Sequence, residues 1–296
     1  MTGMISVITQ GLILSIMALG IYITYKILDF PDLSVDGSFA LGGAIIAFSL
    51  TNNISPIVGT VLAIICGLIS GLVTGILHIK FKISNLLSGI LVMGMLYSIN
   101  LGIMGKSNVP LFNFNHLFNM GISPLVLVAI IVLCCKFILD LFLTTGLGYT
   151  LKAVGDNPQM VKSLGIDIDI IKILGLMLSN GLVSLSGSLF AQFQGFSDVN
   201  LGIGTLVLGI ASIIIGMSIF KRFKFIKTTT SILVGTLIYQ FTIYFAINLG
   251  IIPPNNLKLI TSIVIILFLS VGNLNVFANK KNSKILKKRD VADVTN

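Results

Sequence analysis

Long apolar runs separated by short polar stretches follow one another along most of this chain. A membrane-spanning helix needs about 20 mostly apolar residues, and runs of roughly that length recur from Gly3 to Phe277. The pattern predicts an all-α fold, that of a polytopic helical membrane protein with eight to nine spans. The predicted apolar segments are 3–28, 37–50, 55–77, 84–104, 122–143, 168–190, 204–220, 228–249 and 257–277.

The segment 37–50 decides the number of crossings. Its 14 residues are short for a complete span, so the pattern predicts a broken or re-entrant helix near 31–50. If the segment crosses, there are nine spans and the two termini lie on opposite sides of the membrane. If it does not cross, there are eight spans and both termini lie on the same side.

Composition leaves little room for a soluble domain. Of 296 residues, 55% are hydrophobic and 10% are charged, against roughly 25% charged in an average soluble domain. We therefore predict a single transmembrane domain over 1–279, followed by a basic tail over 280–296.

The distribution of Lys and Arg orients the predicted bundle. Basic residues accumulate in cytoplasmic loops, and a cytoplasmic C-terminus places 17 of the 19 Lys and Arg residues on the inner side. The clusters in 221–227 and 280–289 lie beside helix ends, where they hold orientation and contact anionic headgroups. The net charge of +9 thus indicates a multi-pass protein of the cell (plasma) membrane, in contact with the lipid bilayer and not with nucleic acid.

Residues that carry enzymatic chemistry are scarce. All ten acidic residues are Asp, and there are only two His. Cys66, Cys134 and Cys135 lack the spacing of metal ligands. No cluster of nucleophile, base or metal ligands can be assembled from the sequence, so we predict a non-catalytic chain with no catalytic, metal or cofactor-binding residues.

A short internal echo links two of the apolar segments. Gly37, Leu41, Gly42 and Ala44 recur at the same spacing from Gly204 onwards, each time just after an Asp-containing polar stretch. Transport proteins often contain paired repeats with broken helices. Small residues are also common wherever membrane helices pack closely, so the echo indicates either an internal repeat or a chance match.

The polar loop 144–167 predicts a compact helical hairpin. Gly148 to Val154 can form a short helix that Gly155 ends, and Asn157 and Pro158 cap and begin a second helix. Gly165 would stop that second helix. Such a hairpin is either a rigid projection for another protein to grip or an ordinary connector.

Four stretches of the chain resemble a known family of transport proteins. Residues 151–166 resemble the R-A-x-G-x-N-x-x-M-A-x-x-x-G-I coupling loop of branched-chain amino-acid-type ABC permeases. The stretches 30–39, 85–105 and 196–204 resemble a narrower branch described as tryptophan/tyrosine-type uptake permeases. The likeness covers nearly the whole chain, with the four stretches in the family's order.

This resemblance implies the permease subunit of an ATP-driven ABC importer that moves an amino acid, aromatic or branched-chain, or a similar small solute by alternating access. It also implies a second permease subunit in a homodimer, a cytoplasmic ABC ATPase dimer and an extracytoplasmic solute-binding protein. No Walker A motif occurs in the sequence, so ATP and Mg belong to the partner subunit. Lys152 stands where the family has Arg, and it keeps the charge but loses the planar fork. The residues that the resemblance assigns to ATPase coupling are Leu151, Lys152, Ala153, Val154, Gly155, Asp156, Asn157, Met160 and Gly165.

Polar side chains within the predicted spans are candidates for a translocation path. Such groups are costly in lipid and face the bundle interior or a cavity; the alternative is that they hydrogen-bond neighbouring helices. The candidates are Asn85, Ser88, Asn100, Asn180, Ser184, Ser186, Gln192 and Gln194.

Four further polar residues lie just before helix starts. Asp32 and Asp36 flank the start of the short segment, which Ser34 or Asp36 could cap, and a gate or solute contact is the second interpretation. Asp198 and Asn200 occupy the corresponding outer loop, where they either cap a helix or meet the delivery protein.

An ion-coupled secondary carrier for a small solute is the alternative function. A carrier of that kind normally has a carboxylate buried at mid-membrane. Asp140 and Asp169, the acids within the predicted spans, lie near helix ends, which favours the importer.

Overall fold

The computed structural model of the protein describes residues 2–119, 121, 123–221, 225–248, 262, 263 and 266. Within these residues, seven helices are long and apolar enough to cross a membrane, and Thr205–Phe220 is a shorter apolar helix. These eight helices correspond to the first eight predicted segments, whereas 257–277 lies outside the described residues except for 262, 263 and 266. The helices are α1 (Thr2–Ile21, continued by a π-turn over Tyr22–Ile27), α2 (Ser34–Thr51), α3 (Pro56–Ile79), α4 (Asn85–Met104), α5 (Pro124–Phe142), α6 (Gly146–Asp156), α7 (Pro158–Ser163), α8 (Ile168–Gln194), α9 (Thr205–Phe220) and α10 (Thr228–Asn248).

Helix α8 lies at the centre and packs against α1, α2 and α3. Its small polar residues allow this close packing because their hydroxyls bond backbone carbonyls of the facing helices. The Oγ atoms of Ser179 and Ser186 donate to the carbonyls of Gly20 and Ile13 in α1, each at 2.8 Å. Ser184 Oγ donates to the carbonyl of Ala63 in α3 at 2.6 Å. Because the later residue of α8, Ser186, pairs with the earlier residue of α1, Ile13, the two helices run antiparallel.

The segment predicted to be a broken or re-entrant helix is one continuous helix. α2 has 18 residues without an internal break and spans about 27 Å at 1.5 Å per residue, and whether it is re-entrant stays a prediction. The irregular backbone lies just before it, at 28–33. Because Ser34 contacts Asn180, near the middle of the 27-residue α8, α2 begins deep inside the bundle.

Two short strands close the end of the bundle where α2 and α8 finish, which we call the strand end. β1 (Asn108–Pro110) pairs antiparallel with β2 (Phe196–Asp198), with Val109 opposite Ser197. The loop between β1 and α5 continues into a 3₁₀ turn at Leu117–Asn119, where the Leu117 amide donates to Gln192 Oε1 of α8 at 3.1 Å. The hydrophobic pattern did not predict these strands.

The opposite end, which we call the hairpin end, carries α6 and α7. Both predicted helices are confirmed, and Asn157 caps α7 by accepting from the Met160 amide at 3.1 Å. Gly165 has a φ of +78° and ends the hairpin as predicted. Gly155 does not end α6, which continues to Asp156. Near this end Asp140 pairs with Lys136 and Lys227 at 3.0 and 3.3 Å.

Candidate functional site

A polar cluster lies inside the bundle where α2 begins. The Asp32 side chain is 0% exposed, and its Oδ1 accepts hydrogen bonds from the Ser34 amide at 2.8 Å and from Ser34 Oγ at 2.6 Å. Its Oδ2 accepts from Asn180 Nδ2 at 2.9 Å. Asp32 therefore holds the first turn of α2 against α8. The sequence predicted that Ser34 or Asp36 caps this helix, whereas in the structure Asp32 accepts the hydrogen bond from its first turn.

The cluster extends through Asn180 to α3. Asn180 Oδ1 accepts from Ser38 Oγ at 2.7 Å, and Ser38 Oγ lies 2.7 Å from Ser70 Oγ. Among the ion pairs of the described residues none includes Asp32. Asp32 is outside the apolar runs in sequence but inside the helices in space, so the predicted spans did not reveal this buried carboxylate. The sequence analysis missed Ser38 and Ser70, whose only signal is a hydroxyl on an apolar helix face.

Asp36, one turn into α2, binds the beginning of α9. Its Oδ2 accepts from the Gly204 amide at 2.9 Å, and its Oδ1 accepts from the Leu206 amide at 2.8 Å and from Thr205 Oγ1 at 2.9 Å. A carboxylate in this position satisfies amides that the first turn of a helix leaves unpaired. The two helices that carry the sequence echo thus meet at their N-termini through Asp36. Whether they form an internal repeat stays a prediction.

Three residues predicted from separate stretches line one cavity of about 260 Å³. Asp36 comes from α2, Asn100 from α4 and Asn200 from the loop before α9. Asn100 is 0% exposed and its Nδ2 lies 3.4 Å from the Gly37 carbonyl. Its Oδ1 has no hydrogen-bond partner among the described residues. The remaining lining residues are Gly37, Met93, Gly94, Tyr97, Val199 and Ile203.

Four other candidates for the path, Ser88, Ser184, Ser186 and Gln192, hydrogen-bond neighbouring backbone or side chains instead. Ser88 Oγ donates to the Asn85 carbonyl within α4 at 2.8 Å, and Gln192 Nε2 lies 3.2 Å from Thr60 Oγ1 of α3. Ser184 and Ser186 bond α3 and α1 as described above. Asp198 accepts from Asn108 Nδ2 at 3.2 Å across the strand pair. These contacts stabilise packing, so the structure brings only Asn100, Asp36 and Asn200 together at a cavity.

The hairpin combines buried anchors with an exposed surface. Leu151, Val154 and Val161 are buried against the bundle, whereas Met160 and Leu164 are 56% and 66% exposed. Asp156 and Asn157 are also exposed. The predicted coupling residues therefore divide into two groups: Leu151 and Val154 anchor the hairpin, while Asp156, Asn157, Met160 and Gly165 are accessible to another protein.

Lys152 and Gly155 tie the hairpin to the bundle. Lys152 Nζ donates to the Leu143 carbonyl at 3.0 Å and lies 5.2 Å from the centre of the Tyr149 ring. Gly155 packs directly on the carbonyl of Ile27, where a Cβ atom would collide with the backbone. Ile27 immediately precedes the irregular stretch that leads to Asp32. The hairpin thus touches the chain segment from which α2 begins.

The loop between β1 and α5, which covers Gln192, carries a partly buried histidine. The ring of His116 lies 6.1 Å from that of Phe118, and its buried Nδ1 has no hydrogen-bond partner among the described residues. Burial lowers the pKa of His116 from its ordinary value of 6.5, because an apolar setting disfavours the charged ring.

Comparison with known proteins extends the likeness over almost the full length. Residues 3–269 match the family described as branched-chain amino acid transport system / permease component. The chain is 72% identical over 97% of its length to the tyrosine transport system permease protein of Clostridioides difficile, of which 97% is covered. It is 36% identical over 91% of its length to the uncharacterized protein RP368 of Rickettsia prowazekii, of which 98% is covered.

Among solved structures, PsaBC from Streptococcus pneumoniae in complex with Fab is similar to this chain. The likeness covers 80% of this chain and 89% of that chain, at 14% identity and a TM-score of 0.39. A likeness of this size carries no argument about the present fold.

Proposed function

We propose that this chain is the membrane subunit through which an ABC importer takes up an aromatic amino acid, with tyrosine the first candidate. The chain belongs to the family of permease components of branched-chain amino acid transport systems. Its multi-pass helical bundle is that of a membrane permease. The observation that carries the substrate proposal is the 72% identity over 97% of the chain to a tyrosine transport system permease. The carrier alternative gains a buried carboxylate in Asp32, but the family favours the importer.

The exposed face of the α6–α7 hairpin is the proposed contact for an ABC ATPase dimer, which would bind ATP and Mg. Met160 and Leu164 present apolar side chains to solvent beside Asp156 and Asn157. Leu151 and Val154 hold the hairpin rigidly on the bundle, so a force applied to it reaches the helices. This division of buried and exposed residues is what a coupling element requires.

Two further partners complete the proposed assembly. A second copy of the chain would form the homodimeric pathway, and an extracytoplasmic binding protein would deliver the solute at the strand end, near Asp198 and Asn200. The side assignment is supported by Lys80, Lys82 and Lys162, which lie at the hairpin end and mark it as cytoplasmic by the positive-inside bias. The C-terminus would then be cytoplasmic.

Contacts along one line through the molecule support the proposed alternating access. ATP binding would draw the ATPase subunits together and move the hairpin, which packs on Ile27 through Gly155. The segment 28–33, which includes Asp32, would pass the movement to the start of α2. Asp36 would then pass it from α2 to α9. The chain itself makes and breaks no covalent bond; its residues position and move the helices around the path.

Co-purification with the cognate ATPase tests the coupling surface. Met160→Glu with Leu164→Glu places two charges on the exposed face without touching the core, and Phe81→Glu, at a 68% exposed residue of another hairpin-end loop, is the matched control. We expect the double variant to lose both the ATPase and ATP-dependent tyrosine uptake into proteoliposomes, while the control keeps both. Uptake that needs no ATPase and follows an ion gradient would establish the carrier instead.

A further inference from the structure

The cavity between α2, α4 and the loop before α9 carries an acceptor that the chain leaves unpaired. Asn100 is fully buried and donates through Nδ2 to the Gly37 carbonyl at 3.4 Å, while its Oδ1 has no partner among the described residues. Leaving a buried amide oxygen without a partner is unfavourable. Asn100 is among the residues that line the cavity, so a donor bound there would satisfy this acceptor.

The second polar group of the cavity is also an acceptor. Asp36 receives three hydrogen bonds from Gly204, Thr205 and Leu206, and an ionised carboxylate offers about four acceptor positions. All three donors are neutral, and no ion pair of the described residues includes Asp36. No Lys, Arg or His is among the residues that line this cavity in the described part of the chain.

The rest of the lining is apolar and aromatic. Met93, Val199 and Ile203 face the cavity together with Tyr97. A volume of about 260 Å³ lies just below the range of about 300–1,000 Å³ found for drug-sized ligands. The cavity therefore suits a small solute with a donor-rich, positively charged head and an apolar body, and it offers no charged partner to a carboxylate.

We propose that this cavity is the subsite that receives the ammonium group of the transported amino acid, with Asn100 Oδ1 and the Asp36 carboxylate as acceptors and the apolar lining around the side chain. The inference rests on the importer function proposed above and adds the site within the membrane subunit. Because Asp36 also holds the N-terminus of α9, an ammonium group bound at its remaining acceptor position shares the carboxylate with Thr205 and Leu206. Solute entry and the position of α9 are thereby linked.

Three aromatic solutes that differ only in their charged groups test the site. The purified full chain in lipid nanodiscs is titrated with L-tyrosine, with tyramine, which lacks the carboxylate, and with 3-(4-hydroxyphenyl)propionate, which lacks the ammonium group. Binding is measured by calorimetry and by thermal stabilisation. We expect tyrosine and tyramine to bind and the propionate to bind at least roughly 10-fold more weakly, since a hydrogen bond to a charged group contributes about 1.5 kcal/mol or more. Equal binding of propionate and tyramine would overturn the proposal.

Variants of Asn100 locate the subsite. Asn100→Leu removes the acceptor and should weaken tyramine binding about 10-fold, whereas Asn100→Asp keeps an oxygen there and should retain it. Asn113→Leu makes the same change in a different cavity at the strand end and should have no effect. Unchanged binding in Asn100→Leu would overturn the subsite, and the solute comparison on the unaltered chain stands if that variant fails to fold.

The two proposals fail in different ways. If only the subsite is wrong, ATP-dependent tyrosine uptake persists in Asn100→Leu at the level of Asn113→Leu. If the importer function is wrong, the unaltered chain shows no ATP-dependent uptake at all.

Discussion

Asn180 Nδ2, near the middle of the longest helix of the bundle, donates to Asp32 Oδ2 at 2.9 Å across 148 positions of sequence. The bond joins the centre of α8 to the irregular segment from which α2 begins. It gives a buried carboxylate a donor and fixes the depth at which α2 starts. The polar cluster, the Asp36 contact to α9 and the cavity beside Asn100 all follow from that depth.

Loss of the Asn180 amide should destabilise the bundle. Asn180→Ala leaves Asp32 buried with one donor fewer, and removal of a hydrogen bond to a charged group costs about 1.5–3 kcal/mol. Ser188→Ala is the matched control, because that buried hydroxyl bonds only the Leu185 carbonyl of its own helix. We expect a clear fall in the melting temperature of the first variant in detergent and little change in the second. Equal melting temperatures would mean that the Asp32 bond carries no stability.

Replacement of Gly155 by a larger residue should destabilise the chain and weaken the coupling of ATP hydrolysis to transport. Gly155→Ala forces a methyl group against the Ile27 carbonyl, and such overpacking costs about 1–3 kcal/mol. With the hairpin displaced, the partner ATPase should still hydrolyse ATP, but less tyrosine should be moved per ATP. Gly146→Ala is the control in the same hairpin, since a Cβ there meets nothing within 4 Å.

The ratio of uptake to ATP hydrolysis in proteoliposomes measures this coupling. A Gly155→Ala chain with the ratio of the Gly146→Ala chain would show that the contact with Ile27 does not transmit motion.

His116 should make stability depend on pH. Its pKa is lowered on folding from 6.5, so the unfolded chain takes up the proton first as pH falls. This contribution to stability is full above about pH 7, declines as pH falls below about 6.5 towards the folded-state pKa, and levels off beneath it. Melting temperatures between about pH 8 and about pH 5 should show this decline in the unaltered chain and a smaller one in His116→Gln. If the melting temperature of His116→Gln declines with pH as much as that of the unaltered chain, groups other than His116 cause the decline.

Individual polar residues show how far sequence reasoning reaches. Asn100 and Ser184 look alike in sequence, each a polar residue in an apolar run. Ser184 Oγ meets the Ala63 carbonyl at 2.6 Å, whereas Asn100 Oδ1 has no partner among the described residues. The difference depends on the helix that each residue faces. The β1–β2 pair was missed because three-residue strands are too short to show an alternating pattern.

The sequence by itself determined the membrane bundle, its apolar helices and the hairpin of α6 and α7. Lipid requires long apolar helices with internal backbone bonding, and Asn157, Pro158 and Gly165 act on their immediate neighbours, so both features are local. Only the tertiary structure decided that Asp32 lies deep in the bundle, that Asp36 holds α9 and that Gly155 rests on Ile27. These contacts join residues far apart in the chain, and the packing of whole helices brings them within hydrogen-bonding distance.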